Sequence, residues 1–245
     1  MEQYDKQFYD ANNAYARRSS NFLVSLALKI TSANSVVDFG CAEGTWLADW
    51  KRQGVTDVLG LDGDYVEREH LVIAKDEFLA ADLSQKIDIG RTFDLAQSLE
   101  VAEHLPGDMA ATFIDNLLRH APLVLFSAAP PGQGGLNHIN EQPYGYWRDL
   151  FAMRGYAIFD CIRPELADDT SVAPWYRYNT FLYARDDVVS KLPVEVRDTR
   201  IASQAPIPDI APWAYKGRKL IVRNLPFGVQ QALVQFKRRH YAGTA

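Results

Sequence analysis

The stretch SVVDFGCAEGTWLADW, residues 35–50, decides the fold prediction. An apolar run ends in Asp38, a glycine-containing turn follows, and an amphipathic, helix-like pattern begins after the turn. Short β-rich runs that end at glycine predict strands, and the amphipathic pattern predicts a helix. In α/β proteins, ligands bind beside such a turn, at the carboxyl end of the strand. We therefore expect a binding site next to residues 38–44.

The strand-like pattern recurs along the chain. The runs SVVDF, DVLGLD, EFLAAD, FDLAQSL and LVLFSAA are separated by helical or polar segments, and YAIFDCI and RYNTFLYAR follow as a hairpin-like pair. Such alternation predicts a mainly parallel sheet between helices. We predict an α/β, Rossmann-like, doubly wound seven-stranded sheet with helices on both faces and a C-terminal extension. Residues 12–31 carry helical apolar spacing and are predicted to form a helix that covers the sheet.

The regular pattern ends near Asp186, where four prolines interrupt the next stretch of chain. We predict a domain over residues 1–185, followed by a Pro-interrupted linker and a basic amphipathic extension over residues 186–245. The extension is unusual in charge, because residues 216–245 contain seven Lys or Arg and no Asp or Glu. The rest of the chain has 19 basic and 31 acidic residues. An acidic body therefore carries a basic tail.

Composition narrows the class of protein. The 245 residues are 47% hydrophobic, which is enough for a sizeable core. Two cysteines, Cys41 and Cys161, are too few for a disulfide framework and suit a reducing compartment. The polar N-terminal segment lacks the apolar stretch of a signal peptide, and no apolar run reaches the roughly 20 residues that span a bilayer. We therefore predict a cytoplasmic protein.

The turn after the first predicted strand disfavours a phosphate ligand. GCAEG lacks the G-x-G-x-x-G spacing of dinucleotide sites, and Glu43 would place a negative charge beside a phosphate. A cationic ligand fits better, because Asp38 would attract its ammonium and sulfonium groups. S-adenosylmethionine is such a ligand. Asp62, at the end of the second strand, could accept both ribose hydroxyls, and Asp82 could accept from the adenine amino group while Leu83 packs on the ring.

Four motifs in order strengthen this interpretation. VVDFGCAEG, VLGLDGD, AADL and FDLAQSLEVAEHLP resemble the first to fourth motifs of the class I S-adenosylmethionine-dependent methyltransferases, and the resemblance covers residues 35 to about 185. The first motif commonly has glycine where this chain has Ala42. The resemblance implies a cofactor site formed by Asp38, Phe39, Gly40, Cys41, Gly44, Asp62, Gly63, Asp82, Leu83 and Ser98.

The fourth motif also supplies candidates for chemistry. Glu100, Glu103 and His104 would share a face if they began a helix, and His138 lies in a loop after the fifth strand, at the same edge of the sheet. His138 or His104 could act as the general base for a substrate hydroxyl. Alternatively, the four side chains bind Mg²⁺ or Mn²⁺ and so lower the pKa of the hydroxyl. The E-x-x-E-H pattern resembles metal-dependent small-RNA 2′-O-methyltransferases and certain quinone O-methyltransferases.

We predict an enzyme that transfers a methyl group from S-adenosylmethionine to a hydroxyl of a small molecule or sugar, since Asn140 and Gln142 suit a polyhydroxylated acceptor. The rival hypotheses are a metal-dependent RNA 2′-O-methyltransferase and a non-catalytic S-adenosylmethionine-binding subunit. The acidic body disfavours nucleic acid. The basic tail is compatible with peripheral contact to an anionic membrane, with a grip on nucleic acid, with a homodimer, and with a helix packed on the body with its charges in solvent.

Overall fold

The computed structural model describes residues 6–241, and it describes side chains from residue 16 to residue 236. Within that part of the chain, seven strands form one sheet in the order β3-β2-β1-β4-β5-β7-β6. The strands are β1 (Ser35–Phe39), β2 (Asp57–Asp62), β3 (Phe78–Ala80), β4 (Leu95–Leu99), β5 (Leu123–Ser127), β6 (Tyr156–Phe159) and β7 (Phe181–Arg185). The first five are parallel, and β7 pairs antiparallel with both β5 and β6. The predicted fold class is confirmed.

Helices cover both faces of this sheet. Successive strand residues point to opposite faces, so Val36 packs in one core cluster with Leu23 and Trp50, whereas Val37 packs in another with Phe113. The helices are α1 (Lys6–Thr31), α2 (Thr45–Arg52), α3 (Ala110–His120), α4 (Tyr144–Ala152), α5 (Arg163–Leu166), α6 (Pro174–Asn179), α7 (Val194–Arg197), α8 (Trp213–Arg223) and α9 (Phe227–Tyr241). Helices α1 and α2 lie on the first face and α3 and α4 on the second.

The predicted boundaries of the last strand are corrected by the structure. RYNTFLYAR was expected to be extended throughout, but the segment up to Asn179 forms the helix α6 and the strand begins at Phe181. Pro174 at the first position of α6 has a fixed φ that suits a helix start. The segment therefore forms a helix that begins at Pro174, despite its β-rich composition.

The segment after Asp186 packs against the sheet. Ile201 donates its backbone N–H to the carbonyl of Ile158 at 3.0 Å, next to a bridge between Phe159 and Arg200. The buried Arg163 guanidinium donates to the carbonyl of Pro208 at 2.9 Å. The division into residues 1–185 and 186–245 stays a prediction. Among the described helices, none has the length and apolar character needed to cross a membrane.

The order of the strands locates the site. The chain runs outward from β1 to β3 and then returns to β4 on the other side of β1. Ligands of doubly wound sheets bind at the carboxyl ends of the strands where this reversal occurs. The turn after β1, the end of β2 and the segments after β4 and β5 meet at that edge.

Candidate active site

The glycine turn after β1 is held against β2. The backbone N–H groups of Gly40 and Cys41 both donate to the carbonyl of Leu61, at 2.8 and 3.1 Å. Gly40 has φ +93°, and a Cβ there would lie 2.4 Å from a methyl group of Val101. No other residue type would fit without a shift of Val101. Ala42 also has positive φ, at 48°, which explains why glycine is common at this position of the motif.

Asp62 lies between the turn and the end of β2. One of its carboxylate oxygens accepts from the N–H of Ala42 at 2.8 Å, and the other accepts from the N–H of Gly63 at 2.7 Å and the hydroxyl of Tyr65 at 2.6 Å. Burial raises the pKa of Asp62, and these hydrogen bonds oppose the rise. The carboxylate is therefore fixed in position at the edge of the sheet.

Asp38 is a buried carboxylate with an unsatisfied oxygen. Its side chain is 2% exposed, and its Oδ2 has no hydrogen-bond partner among the described atoms. Desolvation raises its pKa to about 8; a hydrogen bond with Gln97 lowers the pKa, and the negative charge of Asp62 raises it. A buried carboxylate without a partner is costly unless a cation or donor approaches it. The site thus has a place for a positive group beside the turn.

The other predicted cofactor residues differ in environment. Asp82 is exposed and accepts from the N–H and hydroxyl of Ser84, at 2.9 and 2.6 Å. Leu83 is buried beside it, and Ser98 in β4 has a buried hydroxyl oxygen without a partner in the described part of the chain. The Phe39 side chain packs in the core against His120. A ligand can therefore contact only the backbone of Phe39. Gly44 precedes α2 and donates to the carbonyl of Cys41 at 2.8 Å.

The predicted helix over residues 100–104 is wrong. Glu100 has φ +58°, a left-handed conformation that does not continue into a right-handed helix. A single 3₁₀ turn, Ala102–His104, follows it. The N–H of Glu100 donates to the carbonyl of Ser127 at 3.1 Å, so β5 fixes the direction of the chain here. Glu100, Glu103 and His104 are therefore not brought together by one face of an α-helix, as the sequence analysis expected.

Three of the four predicted metal candidates nevertheless come together. One ligand atom from each of Glu103, His104 and His138 lies within 4.8 Å of the others. Nε2 of His138 is 4.0 Å from Oε1 of Glu103, and the two imidazole rings are 4.9 Å apart. Two backbone N–H groups from the His138 loop, those of Ile139 and Asn140, donate to the carbonyl of Glu103 and hold the cluster together.

The electrostatics of this cluster favour a cation. Glu103 is fully buried, and neither carboxylate oxygen has a hydrogen-bond partner among the described atoms. Burial and the nearby charge of Glu100 raise the pKa of Glu103 well above its ordinary value. Burial and the charge of His138 lower the pKa of His104 to about 3, so its imidazole is neutral near pH 7. Unpartnered carboxylate oxygens beside neutral imidazole nitrogens are metal-ligand atoms.

Glu100 lies next to the cluster but outside the group of three. Its carboxylate accepts from the side-chain amides of Gln133 and Asn179. Asn179 in turn donates to Gln133 at 2.7 Å and accepts from the hydroxyl of Tyr144 at 2.8 Å. Burial raises the pKa of Glu100, and the two amide hydrogen bonds lower it. Glu100 is thus anchored in an amide network.

Sequence reasoning missed Glu141. One of its oxygens lies 2.9 Å from Nδ1 of His138, and the carboxylate also accepts from the N–H groups of Gly132 and Gly134, both at 2.7 Å. Because a carboxylate oxygen accepts, Nδ1 of His138 donates in this contact, which leaves Nε2 as the nitrogen that faces Glu103. Such carboxylate–histidine pairs orient metal-binding imidazoles. The only sequence signal was the spacing of His138 and Glu141 in HINE.

Comparison with known proteins identifies the family. A family model described as a methyltransferase domain matches residues 10–157, which is more than half of the chain. A search of curated proteins gave no significant match.

Solved structures share the fold. The methyltransferase domain of bacterial CtHen1-C superposes with a TM-score of 0.52 at 19% identity, over 69% of this chain and 97% of that one. An O-methyltransferase family protein from Burkholderia thailandensis gives 0.53 at 18% identity, over 74% of this chain and 60% of that one. For DesVI of Streptomyces venezuelae the score is 0.54 at 13% identity, with coverages of 73% and 95%.

At sequence identities this low, the three superpositions show only that the fold is shared. Membership of the family rests on the match to the family model. Residues 10–157 include strands β1–β5, the glycine turn, and the cluster of Glu103, His104 and His138. The chain belongs to the methyltransferase domain family, among the class I S-adenosylmethionine-dependent methyltransferases.

Proposed function

We propose that this protein methylates a hydroxyl group of a small molecule or sugar unit with S-adenosylmethionine as the methyl donor, and that Glu103, His104 and His138 bind a divalent cation at the acceptor. The observation that carries the proposal is the buried carboxylate of Glu103, which has no hydrogen-bond partner among the described residues and lies beside two histidines. Asn140 and Gln142 in the same loop are suited to a polyhydroxylated acceptor.

The residues at the glycine turn fit the methyl donor. Asp38 offers an unsatisfied buried oxygen to the positive charge of the cofactor. Asp62 is fixed at the end of β2, where it can accept from ribose hydroxyls. Asp82 and Leu83 follow β3 and are the residues we assign to the adenine, the carboxylate to its amino group and the leucine to its ring. The three carboxylates lie at or just beyond the carboxyl ends of neighbouring strands.

The fit of a divalent cation rests on the cluster after β4. When bound there, Mg²⁺ or Mn²⁺ would lower the pKa of an acceptor hydroxyl. A low pKa makes the imidazole of His104 a poor base near neutral pH, so we assign it as a ligand rather than the general base. Nε2 of His138 points toward Glu103 and serves either as the third ligand or as the group that takes the hydroxyl proton. Methyl transfer is an in-line displacement, so alignment is the remaining task of the site.

Metal removal and replacement test the proposed function. The purified protein is treated with EDTA, titrated calorimetrically with S-adenosylmethionine, and assayed by mass spectrometry for methyl transfer to a panel of hydroxylated small molecules, sugars and RNA. We expect cofactor binding to survive EDTA, and turnover to require added Mg²⁺ or Mn²⁺. Methylation of RNA alone would replace our acceptor class, and binding without turnover on any acceptor would indicate a non-catalytic subunit.

Cofactor binding is expected to release a proton through Asp38. Its pKa of about 8 in the cofactor-free protein means that the carboxyl is protonated at neutral pH, and a cationic ligand favours the ionised form. Affinity should therefore rise with pH, by up to about tenfold per unit, until pH reaches that pKa. Calorimetry at about pH 6.5 in two buffers of different ionisation enthalpy measures the released proton. Equal heats in the two buffers would contradict this assignment, and Asp38→Asn should abolish the release.

Glu141 is expected to act by positioning His138. Glu141→Gln should weaken metal binding by roughly 10- to 100-fold, because loss of the carboxylate frees the imidazole to rotate. The expected signature is turnover that recovers when the metal concentration is raised, with affinity for S-adenosylmethionine unchanged. Asp149→Asn, which neutralises an exposed acid on α4, is the matched control and should leave turnover unchanged. A turnover defect in Glu141→Gln that no metal concentration relieves would contradict the positioning role.

A further inference from the structure

Helix α8 presents its apolar side chains to solvent. Trp213 is 86% exposed, Ile221 67% and Leu220 52%. The opposite side of the helix, with Lys219 buried against the body, is the more polar one. Helices that pack on a globular body normally do the reverse. The apolar outer side of α8 therefore needs an explanation outside the packing of the chain itself.

The inner side of α8 packs on the loop that carries His138. Arg218 donates to the carbonyl of Gln133 at 2.9 Å, and Lys219 forms an ion pair with Asp209. The loop and the helix touch closely at Gly132, where a Cβ would lie 2.0 Å from the Lys219 carbonyl oxygen. Gly132 has φ +86°, so glycine is required there for two reasons. Helix α8 thus packs directly on the loop that carries His138.

Helix α9 continues this arrangement. Gln231 accepts from the N–H of Asn137 and donates to the carbonyl of Gly135, both at 3.1 Å, immediately before His138. The side of α9 opposite Gln231 is again apolar and exposed, at Val229, Leu233 and Phe236, and Phe227 at the start of the helix is exposed as well. Both helices therefore bind the loop on one side and expose large apolar side chains on the other.

Charge indicates what covers this surface. The sequence contains no Asp or Glu after Asp209, while Lys216 and Arg223 are exposed among the apolar residues of α8. Cations interspersed with Trp, Leu, Ile and Phe are typical of helices that lie in the interface of an anionic bilayer. A bilayer accepts apolar side chains without a complementary shape, whereas a protein partner would need a matched surface with carboxylates.

We propose that α8 and α9 form a docking surface for an anionic lipid membrane, made by Trp213, Lys216, Leu220, Ile221, Arg223 and Phe227. The docking surface lies in the plane of the membrane and does not span it, since no described helix is suited to crossing. If the proposed function holds, the acceptor belongs to the class of hydroxylated compounds presented at a lipid surface. Its hydroxyl would then meet the cluster from the side on which the His138 loop contacts α8.

Vesicle sedimentation tests the docking surface without any cofactor, metal or acceptor. The full chain is mixed with vesicles of phosphatidylcholine alone, or with about one-third phosphatidylglycerol, and the bound fraction is measured after centrifugation. We expect binding to the anionic vesicles only. Leu220→Ser with Ile221→Ser should weaken binding at least tenfold, and Lys216→Ala with Arg223→Ala should weaken it about fivefold for each charge removed.

The matched control is Met153→Ser with Val194→Ser, because these apolar residues are 72% and 50% exposed outside the docking surface. That variant should bind like the wild type. Absence of binding to anionic vesicles, or binding unaffected by either pair of docking-surface substitutions, would overturn the proposal. So would a dimer that Leu220→Ser with Ile221→Ser dissociates, or RNA binding in place of vesicle binding. Wild-type protein that sediments with anionic vesicles but methylates none of the acceptors would count against the proposed function alone.

Discussion

Glu103→Gln is expected to stop methyl transfer and, at the same time, to make the metal-free protein more stable. Glu103 is fully buried, neither of its carboxylate oxygens has a partner where the structure describes side chains, and its pKa is raised well above 4.5. In the proposed metal site this change removes a ligand, so we expect turnover to fall by roughly a thousandfold, the equivalent of several kcal/mol of lost Lewis-acid stabilisation. The same change removes the desolvation cost of a buried ion.

The stability effect has a definite pH dependence. A group whose pKa is raised on folding stabilises the protein fully below its unfolded pKa, here 4.5, and loses that stabilisation as pH rises through the folded pKa. Glutamine does not ionise, so the variant escapes this loss. Urea unfolding in EDTA should therefore show a difference that grows with pH, reaching about 1–3 kcal/mol in favour of the variant near pH 8.

An exposed glutamate provides the control for both effects. Glu165 on α5 is exposed, and Glu165→Gln makes the same chemical change without burial. It should alter neither turnover nor the pH dependence of unfolding. If Glu103→Gln were less stable than the wild type at high pH without metal, or turned over normally, the assignment of Glu103 as a metal ligand would be wrong.

Most of the fold could be predicted from the sequence because the patterns that specify strands, turns and helices act over a few neighbouring residues. The strand, turn and helix at residues 35–50 are fixed by β-rich runs, by glycine at Gly40 and by helical spacing after Thr45, all of which act over a few residues. The approach of His138 to His104 was predicted from topology alone. Parallel neighbours such as β4 and β5 end at the same edge, so the segments that follow them meet.

The failures occur where long-range contacts decide the backbone. Glu100 adopts a left-handed conformation because its N–H bonds to Ser127, on a strand 27 residues away. Helical spacing alone could not reveal that contact. Glu141 was missed because its role depends on the amides of Gly132 and Gly134, which the loop brings to it. For α8, periodicity predicts two unlike sides but does not say which one faces the body.

The second large effect is expected at the other end of the site, where Asp62→Ala should abolish measurable binding of S-adenosylmethionine. The carboxylate holds the N–H groups of Ala42 and Gly63, and so the turn itself, through charge-assisted hydrogen bonds. Hydrogen bonds to charged groups contribute about 1.5–3 kcal/mol each, and the variant would lose the hydrogen bonds from two ribose hydroxyls. Affinity should fall by roughly 10²–10⁴-fold, so the heat of binding should disappear from a calorimetric titration.

Two further variants separate loss of the cofactor from loss of chemistry. His138→Ala should bind S-adenosylmethionine like the wild type and fail to turn over, because we assign His138, with the Glu103 cluster, to the acceptor side of the site. Asp82→Ala should weaken binding far less than Asp62→Ala, because Asp82 is exposed and water competes for its hydrogen bonds. We therefore expect the loss of affinity for S-adenosylmethionine to be largest in Asp62→Ala, smaller in Asp82→Ala and absent in His138→Ala. Wild-type affinity in Asp62→Ala would mean that the ribose binds elsewhere, and a loss of affinity in His138→Ala would place that histidine on the cofactor side.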